Sequence, residues 1–67
     1  MRSPEEKWLI ENATTFAENI VFKQKKFLIA ENCLKGLNIT KLLDMIINIK
    51  EVKGASAEEQ GIYVFLR

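Results

Sequence analysis

Three lysines lie close together in the first half of the chain, and their chemistry is the clearest in the sequence. Lys23, Lys25 and Lys26 are flanked by Phe22 and Phe27. Lysines neutralise phosphates and aromatic rings stack on bases, so the pattern is compatible with nucleic-acid binding. Ten Lys and Arg against nine Asp and Glu leave a net charge of only +1, however. A cluster of lysines is more often a solvated surface, and nucleic-acid binding is therefore the second interpretation.

Residues suited to catalysis or to metal binding are scarce. The chain has no His, which removes the commonest general base and the commonest metal ligand. Cys33 is the only thiol, and without a histidine base it fits a small semi-buried apolar residue better than a nucleophile. The acidic pairs Glu5–Glu6 and Glu58–Glu59 are explained by helix caps and solvated faces. We predict no enzymatic activity, no metal site and no cofactor.

The element that must position most of these residues is the stretch from Ser3 to Gly36. Ser3 and Glu6 have the spacing of a capping box, and Pro4 stands at the first helical position, where its missing N–H costs nothing. No Pro or Gly follows until Gly36, which can adopt the left-handed conformation that closes a helix. The pattern predicts one long N-terminal helix.

Apolar residues fall on two sides of this predicted helix. One stripe is typical of a core-facing surface and contains Leu9, Ala13, Phe16, Ala17, Ile20, Phe27 and Leu34, widened by Ile10, Val21 and Leu28. A second line gathers Trp8, Phe22, Ile29 and Cys33. A helix that is apolar on two sides needs two neighbours, so we interpret the second line as a partner-binding surface. The alternative is packing against the chain's own C-terminal segment.

The length of the predicted helix has a consequence for assembly. About 32 residues of helix span about 48 Å, whereas a compact chain of this size has a radius of gyration near 11 Å. Either the molecule is elongated and forms a homodimer, or the helix breaks between Phe22 and Lys26. A hairpin over residues 20–30 is a further alternative, although no Gly, Asn or Asp supplies its turn.

A second helix is predicted from Ile39 to about Lys50. Asn38 is a suitable N-cap, and the short link from Gly36 makes this helix an antiparallel neighbour of the first. Its apolar face covers about half of its circumference, which indicates packing on more than one side.

The C-terminal third is harder to assign. Ser56 and Glu59 repeat the capping-box spacing, which predicts a single helical turn ending at Gly61. The run Ile62–Leu66 favours a strand, and a terminal helix is the alternative. A strand there needs a pairing partner, either residues 47–52, a second copy of the chain or another protein.

Together these patterns predict a mainly α fold for residues 1–67, a single small domain. A long N-terminal helix and an antiparallel second helix form a helical hairpin, followed by a short C-terminal strand or turn. One cysteine, no apolar run of membrane-spanning length and no signal peptide indicate a cytoplasmic protein without a membrane partner.

The predicted function is regulatory and non-enzymatic. We expect a small protein that occludes or bridges a larger protein through its helical surface, as inhibitors, adaptors and antitoxin-like proteins do. The rival is a small nucleic-acid-binding transcriptional regulator using Lys23, Lys25 and Lys26. Helix-turn-helix proteins need two short helices after the first, so only a winged-helix variant, with a C-terminal hairpin as its wing, stays open.

Overall fold

The computed structural model describes residues 2–67 and shows an α+β fold. The helices are α1 (Pro4–Glu11), α2 (Ala13–Val21) and α3 (Ile39–Ile47), and a single 3-10 turn covers Glu31–Cys33. A three-stranded antiparallel sheet accompanies them. The prediction of a mainly α helical hairpin is therefore wrong, because three segments of the chain are strands and two of those were assigned to helices or turns.

The sheet consists of β1 (Lys26–Ala30), β2 (Val52–Glu58) and β3 (Gly61–Leu66) in the order β1-β3-β2. β2 and β3 form a hairpin through the two residues between them, and β1 joins β3 from a distant part of the chain, with Phe27 opposite Val64. The strand expected at residues 62–66 is confirmed. Its position is not, since it is the central strand and not a terminal addition.

The helix expected from Ser3 to Gly36 ends at Val21, within the first third of the chain. Lys23 has a φ of 56°, the left-handed conformation. Its N–H donates to the carbonyl oxygen of Ile20 at 3.1 Å, and the N–H of Gln24 donates to that of Asn19 at 3.0 Å. These two bonds are the Schellman arrangement, which usually places Gly at the left-handed position. The unbroken helix is wrong, and the break falls inside the region from Phe22 to Lys26.

A smaller interruption separates α1 from α2. Asn12 lies between them, and its side-chain amide donates to the carbonyl oxygen of Trp8 at 2.8 Å. An asparagine side chain that bonds a backbone carbonyl in this way competes with the regular backbone hydrogen bonds of a helix. The helix is therefore interrupted at Asn12, although no glycine or proline stands there.

The molecule is too small to contain the long helix. The radius of gyration is 11.1 Å and the extents are 31 × 27 × 17 Å. A helix of about 48 Å would project well beyond these limits. By leaving the helix, residues 26–30 can pair with β3 and place Ile29 in the core, where it is 7% exposed.

The core lies between the inner face of the sheet and the helices. α3 contributes Leu42 and Ile46, both fully buried, and packs mainly against β2. Phe16 of α2 meets Phe27 of β1 edge to face, with ring centroids 5.2 Å apart. Buried side chains from all three strands complete this core: Ile29, Val52, Ile62, Val64 and Leu66.

Two of the predicted helix caps are confirmed. The Ser3 Oγ accepts the Glu6 N–H at 3.2 Å, and the Asn38 Oδ1 accepts the Lys41 N–H at 3.1 Å. The third, at Ser56, is wrong. Ser56 lies in β2, where its hydroxyl donates to the Glu58 carboxylate at 2.9 Å. The Ser-x-x-Glu spacing of a helix cap also occurs in a strand when pairing with a neighbouring strand overrides the local preference for a helix.

We predict that Gly61→Ala destabilises the fold by more than about 2 kcal/mol. Gly61 has a φ of 139°, and a Cβ at this position would overlap the carbonyl oxygen of Ile29 across the sheet. Urea unfolding measures the effect. The control is Gly54→Ala in β2, where nothing lies within 4 Å of the added carbon and a change within about 0.5 kcal/mol is expected. Equal effects of the two substitutions would contradict the close approach at Gly61.

Candidate functional site

Part of the apolar stripe on α1 and α2 is left uncovered by the rest of the molecule. It forms an open groove of about 380 Å³, here called the apolar groove, lined by Leu9, Ile10, Ala13, Phe16, Ala17, Ile20 and Ile49. Only Phe16 among these is buried in the core, and Ile10 is 54% exposed. The stripe thus gives the core the buried Phe16 and the half-buried Leu9 and Ile20, while Ile10, Ala13 and Ala17 are exposed.

A second concavity adjoins the groove at Ile20, which lines both. This basic cleft has a volume of about 420 Å³ and receives its four cations from three segments of the chain. Lys23 and Lys25 lie in the link between α2 and β1, Lys50 lies in the link between α3 and β2, and Arg67 follows β3. Ile20 and Leu66 contribute apolar surface, and Gln24 and Glu51 complete the lining.

Backbone hydrogen bonds hold these segments together at one end of the sheet. The Leu66 N–H donates to the carbonyl oxygen of Lys25 at 2.8 Å, and the Arg67 N–H donates to that of Glu51 at 2.9 Å. The Arg67 Nε–H also donates to the carbonyl oxygen of Lys50 at 3.1 Å. The positions of the cations therefore follow from strand pairing, which is rigid, although the lysine side chains themselves are exposed.

The charges of the cleft are not neutralised inside the molecule. Within residues 2–67 the one salt bridge joins Lys41 and Glu5, so no cation of the basic cleft has a carboxylate within 4 Å. Four cations against the single carboxylate of Glu51 leave three net positive charges. Because the whole chain carries only +1, this end of the molecule concentrates positive charge that is balanced elsewhere on the surface. Such a site attracts anions.

Glu5 ties α1, which lines the apolar groove, to the start of α3. Its side chain is 6% exposed, and its carboxylate accepts the backbone N–H of Asn38, the N-cap of α3, at 2.9 Å. The Lys41 ammonium lies 3.7 Å from the same carboxylate. The Asn38 N–H lowers the pKa of Glu5 below its ordinary value of 4.5, with Lys41 assisting and burial opposing. A negative charge here also matches the positive end of the α3 dipole.

The four residues predicted to form a partner-binding line lie on separate elements. Ile29 is buried in β1, and Phe22, just after α2, is 72% exposed. Trp8 and Cys33 are brought together, since the Trp8 indole N–H donates to the Cys33 carbonyl oxygen at 3.1 Å. The Cys33 side chain is exposed. The continuous line on one helix face does not exist, because the helix that would carry it ends at Val21.

The structure separates the three lysines predicted as a nucleic-acid patch. Lys23 and Lys25 line the basic cleft. Lys26 lies on the outer face of the sheet, where its ammonium is 5.6 Å from the centre of the Tyr63 ring. Lys50 and Arg67 take its place in the cleft, and sequence reasoning did not find them. They lie far from Lys23 in the chain, and only the pairing of three strands shows that they meet.

Other functional features were sought in the part of the chain that the structure describes. Within residues 2–67, no three His, Cys, Asp or Glu side chains are grouped so that they could hold a metal ion. No helix in the same range has both the length and the apolar character needed to cross a bilayer.

Comparison of the chain with known protein families, with curated proteins and with solved structures finds no match. A helical segment, a strand, a short 3-10 turn, a helix and a two-stranded hairpin follow one another along the chain, and the first strand pairs with the last.

We predict that Glu5→Gln lowers the stability of the domain at neutral pH and that its effect disappears in acid. A carboxylate whose folded pKa is depressed contributes stability that is present above its unfolded pKa, 4.5, and is lost as the pH falls through the folded pKa. Thermal unfolding from pH 7 down to pH 3 measures this. Glu6→Gln is the matched control, since Glu6 is exposed. A constant difference between wild type and Glu5→Gln at every pH would contradict the assignment.

Proposed function

We propose that this chain is a non-enzymatic regulatory domain that binds a partner protein through the apolar groove. The observation that supports this is the groove itself, an apolar concavity beside exposed side chains of the same helices. Ile10 is 54% exposed, and Val21 and Phe22 are each 72% exposed. Small soluble domains rarely leave contiguous apolar surface uncovered unless something binds there.

The shape of the groove favours a helical partner segment. It runs along α1 and α2, and its lining alternates large residues with Ala13 and Ala17. Small residues let another backbone approach closely, and an apolar helix face laid into such a groove is a common recognition mode. The mechanism is occlusion or bridging. A chain of 67 residues covers a site on a larger protein and supplies no catalytic group. The proposal places the domain in the cytoplasm, where a single exposed cysteine is stable as a thiol.

A second copy of the chain is the competing occupant of the groove. The homodimer was expected because a long helix would overrun a compact monomer, and that reason is gone. Self-association through the apolar groove stays as a proposal. Sedimentation of the pure chain at micromolar concentration distinguishes a groove filled by its own copy from one left free for another protein.

Nucleic-acid binding is the second candidate function. Four convergent cations favour it. The helix that would enter a DNA groove counts against it. On the exposed face of α3, Lys41 is paired with Glu5, and Asp44 is the other charged residue. The tip of the hairpin carries Glu58 and Glu59. Although Lys53 of β2 is exposed, an acidic hairpin tip and a recognition helix without a free cation would meet phosphates poorly.

We predict that Ala17→Glu weakens partner binding while Thr14→Glu leaves it unchanged. Both residues are exposed on α2, and both substitutions add one negative charge, but only Ala17 lines the groove. An unpaired carboxylate buried in an apolar interface should reduce affinity by more than about tenfold. Quantitative affinity capture from the native host, followed by binding measurements on the captured protein, gives the result.

The proposal fails if wild type and Ala17→Glu capture the same proteins to the same extent. Circular dichroism and thermal unfolding of both variants establish that α2 is intact. Exposed positions on a helix tolerate such changes within about 0.5 kcal/mol, so a loss of binding by a folded Ala17→Glu chain reports on the surface.

A further inference from the structure

We infer that the basic cleft and the apolar groove form one binding site, and that its ligand is an amphipathic protein segment whose apolar face ends in a cluster of carboxylates. This inference rests on the proposed function and names the chemistry of the partner. The apolar residues of the segment would lie along α1 and α2, and its carboxylates would face Lys23, Lys25, Lys50 and Arg67.

The first observation behind the inference is that the apolar groove and the basic cleft adjoin each other. Ile20 lines both, so a ligand that follows the groove toward the end of α2 passes directly into the cleft. The left-handed turn at Lys23 takes the chain out of the helix at this point. The positive charge therefore begins where the chain leaves α2, with Ile20 and Leu66 still supplying apolar surface, and a ligand that fits both concavities must gain anionic groups at the same place.

The second observation is the hydrogen bonding of Arg67. Its Nε–H is engaged by the carbonyl oxygen of Lys50 at 3.1 Å, which restrains the guanidinium plane. An incoming carboxylate would meet the two terminal amino groups, the paired donors that carboxylates accept in a bidentate manner. The lysines add mobile point charges around this restrained group.

The distribution of charge favours a protein carboxylate over a nucleic-acid backbone. A phosphodiester chain needs a track of cations, and here the cations stop at one end of the sheet. The exposed charges of α3 are Asp44 and the already paired Lys41, and the hairpin tip is acidic. The adjoining surface is an apolar groove, which suits leucine or isoleucine side chains and offers nothing to a sugar–phosphate backbone.

Glu51 allows the sign of the ligand's charge to be tested. It is the one acidic residue of the cleft and is exposed. An anionic ligand is repelled by it, so its neutralisation should strengthen binding, while neutralisation of Lys50, its neighbour in the chain, should weaken binding. A structural role for either residue would not produce opposite effects.

The experiment uses the full chain labelled with ¹⁵N and titrated with synthetic peptides. One peptide carries leucines along one helical face followed by a run of glutamates, and a second replaces the glutamates with glutamines. A single-stranded oligonucleotide of the same net charge is the third probe. The glutamate peptide should shift amides of both concavities, and its affinity should fall as salt rises from about 50 to about 500 mM.

Variants give the quantitative result. The double substitution Lys23→Gln/Lys50→Gln should weaken the glutamate peptide roughly fivefold or more, Glu51→Gln should tighten it, and both should leave the glutamine peptide unchanged. Ala17→Glu should weaken both peptides. Thermal unfolding confirms that each variant is folded.

Four outcomes overturn the inference. Equal affinity for the two peptides would show that the cleft does not recognise charge, although the groove still binds a protein and the proposed function stands. Cleft shifts caused by the oligonucleotide alone would assign the cleft to nucleic acid. Insensitivity of the glutamate peptide to Ala17→Glu would show that the cleft acts without the groove, against both proposals. Absence of binding by either peptide at millimolar concentration would refute the joint site.

Discussion

The fold depends on the backbone hydrogen bonds of β3. A strand as apolar as Ile62–Leu66 can be buried only if its N–H and carbonyl groups are paired on both sides. The hairpin supplies one side through β2, and β1 supplies the other. This requirement removes residues 26–30 from the helix that their neighbours would otherwise extend. It also draws the chain segments around Lys25, Lys50 and Arg67 to one end of the sheet, so the strand that organises the core also gathers the positive charge.

The same arrangement explains why the apolar groove stays open. The inner face of the sheet is covered largely by α3 and by Phe16 of α2. With so few elements, the domain has nothing left to place over the outer part of the α1–α2 stripe. Small domains bury a limited fraction of their surface, and the α1–α2 stripe is one of the apolar surfaces left exposed here, besides Leu28 and Phe65 on the sheet and Ile47 on α3. Glu5, by anchoring α1 to the start of α3, keeps that exposed stripe fixed relative to the rest of the molecule.

The sequence alone indicated structural features that depend on residues close together in the chain, but not features that depend on residues far apart. The caps at Ser3 and Asn38 depend on residues three positions apart, and both were found. The end of α2 was given only as an alternative, a break between Phe22 and Lys26, because a lysine and not a glycine adopts the left-handed conformation there. β1 was missed because its apolar residues fit a helical stripe as well as a strand, and the choice is made by β3, more than thirty residues later. For the candidate site, the apolar face from Leu9 to Ile20 was identified but assigned to the core, whereas Lys50 and Arg67 reach the cleft only through tertiary pairing.

The two halves of the candidate site differ in how far apart in the chain their residues lie, and this gives them different local stabilities. Six of the seven groove residues lie between Leu9 and Ile20, so one helical segment carries nearly all of it. The cleft joins Lys23 to Arg67 and is complete only while β1 and β3 are paired. Loop closure over such a separation is entropically costly, and segments of a native protein open locally with different free energies. A transient release of β1 would draw Lys25 away from Lys50 and Arg67, which stay joined by their own hydrogen bonds, so the cleft would lose part of its positive charge while much of the apolar face persisted.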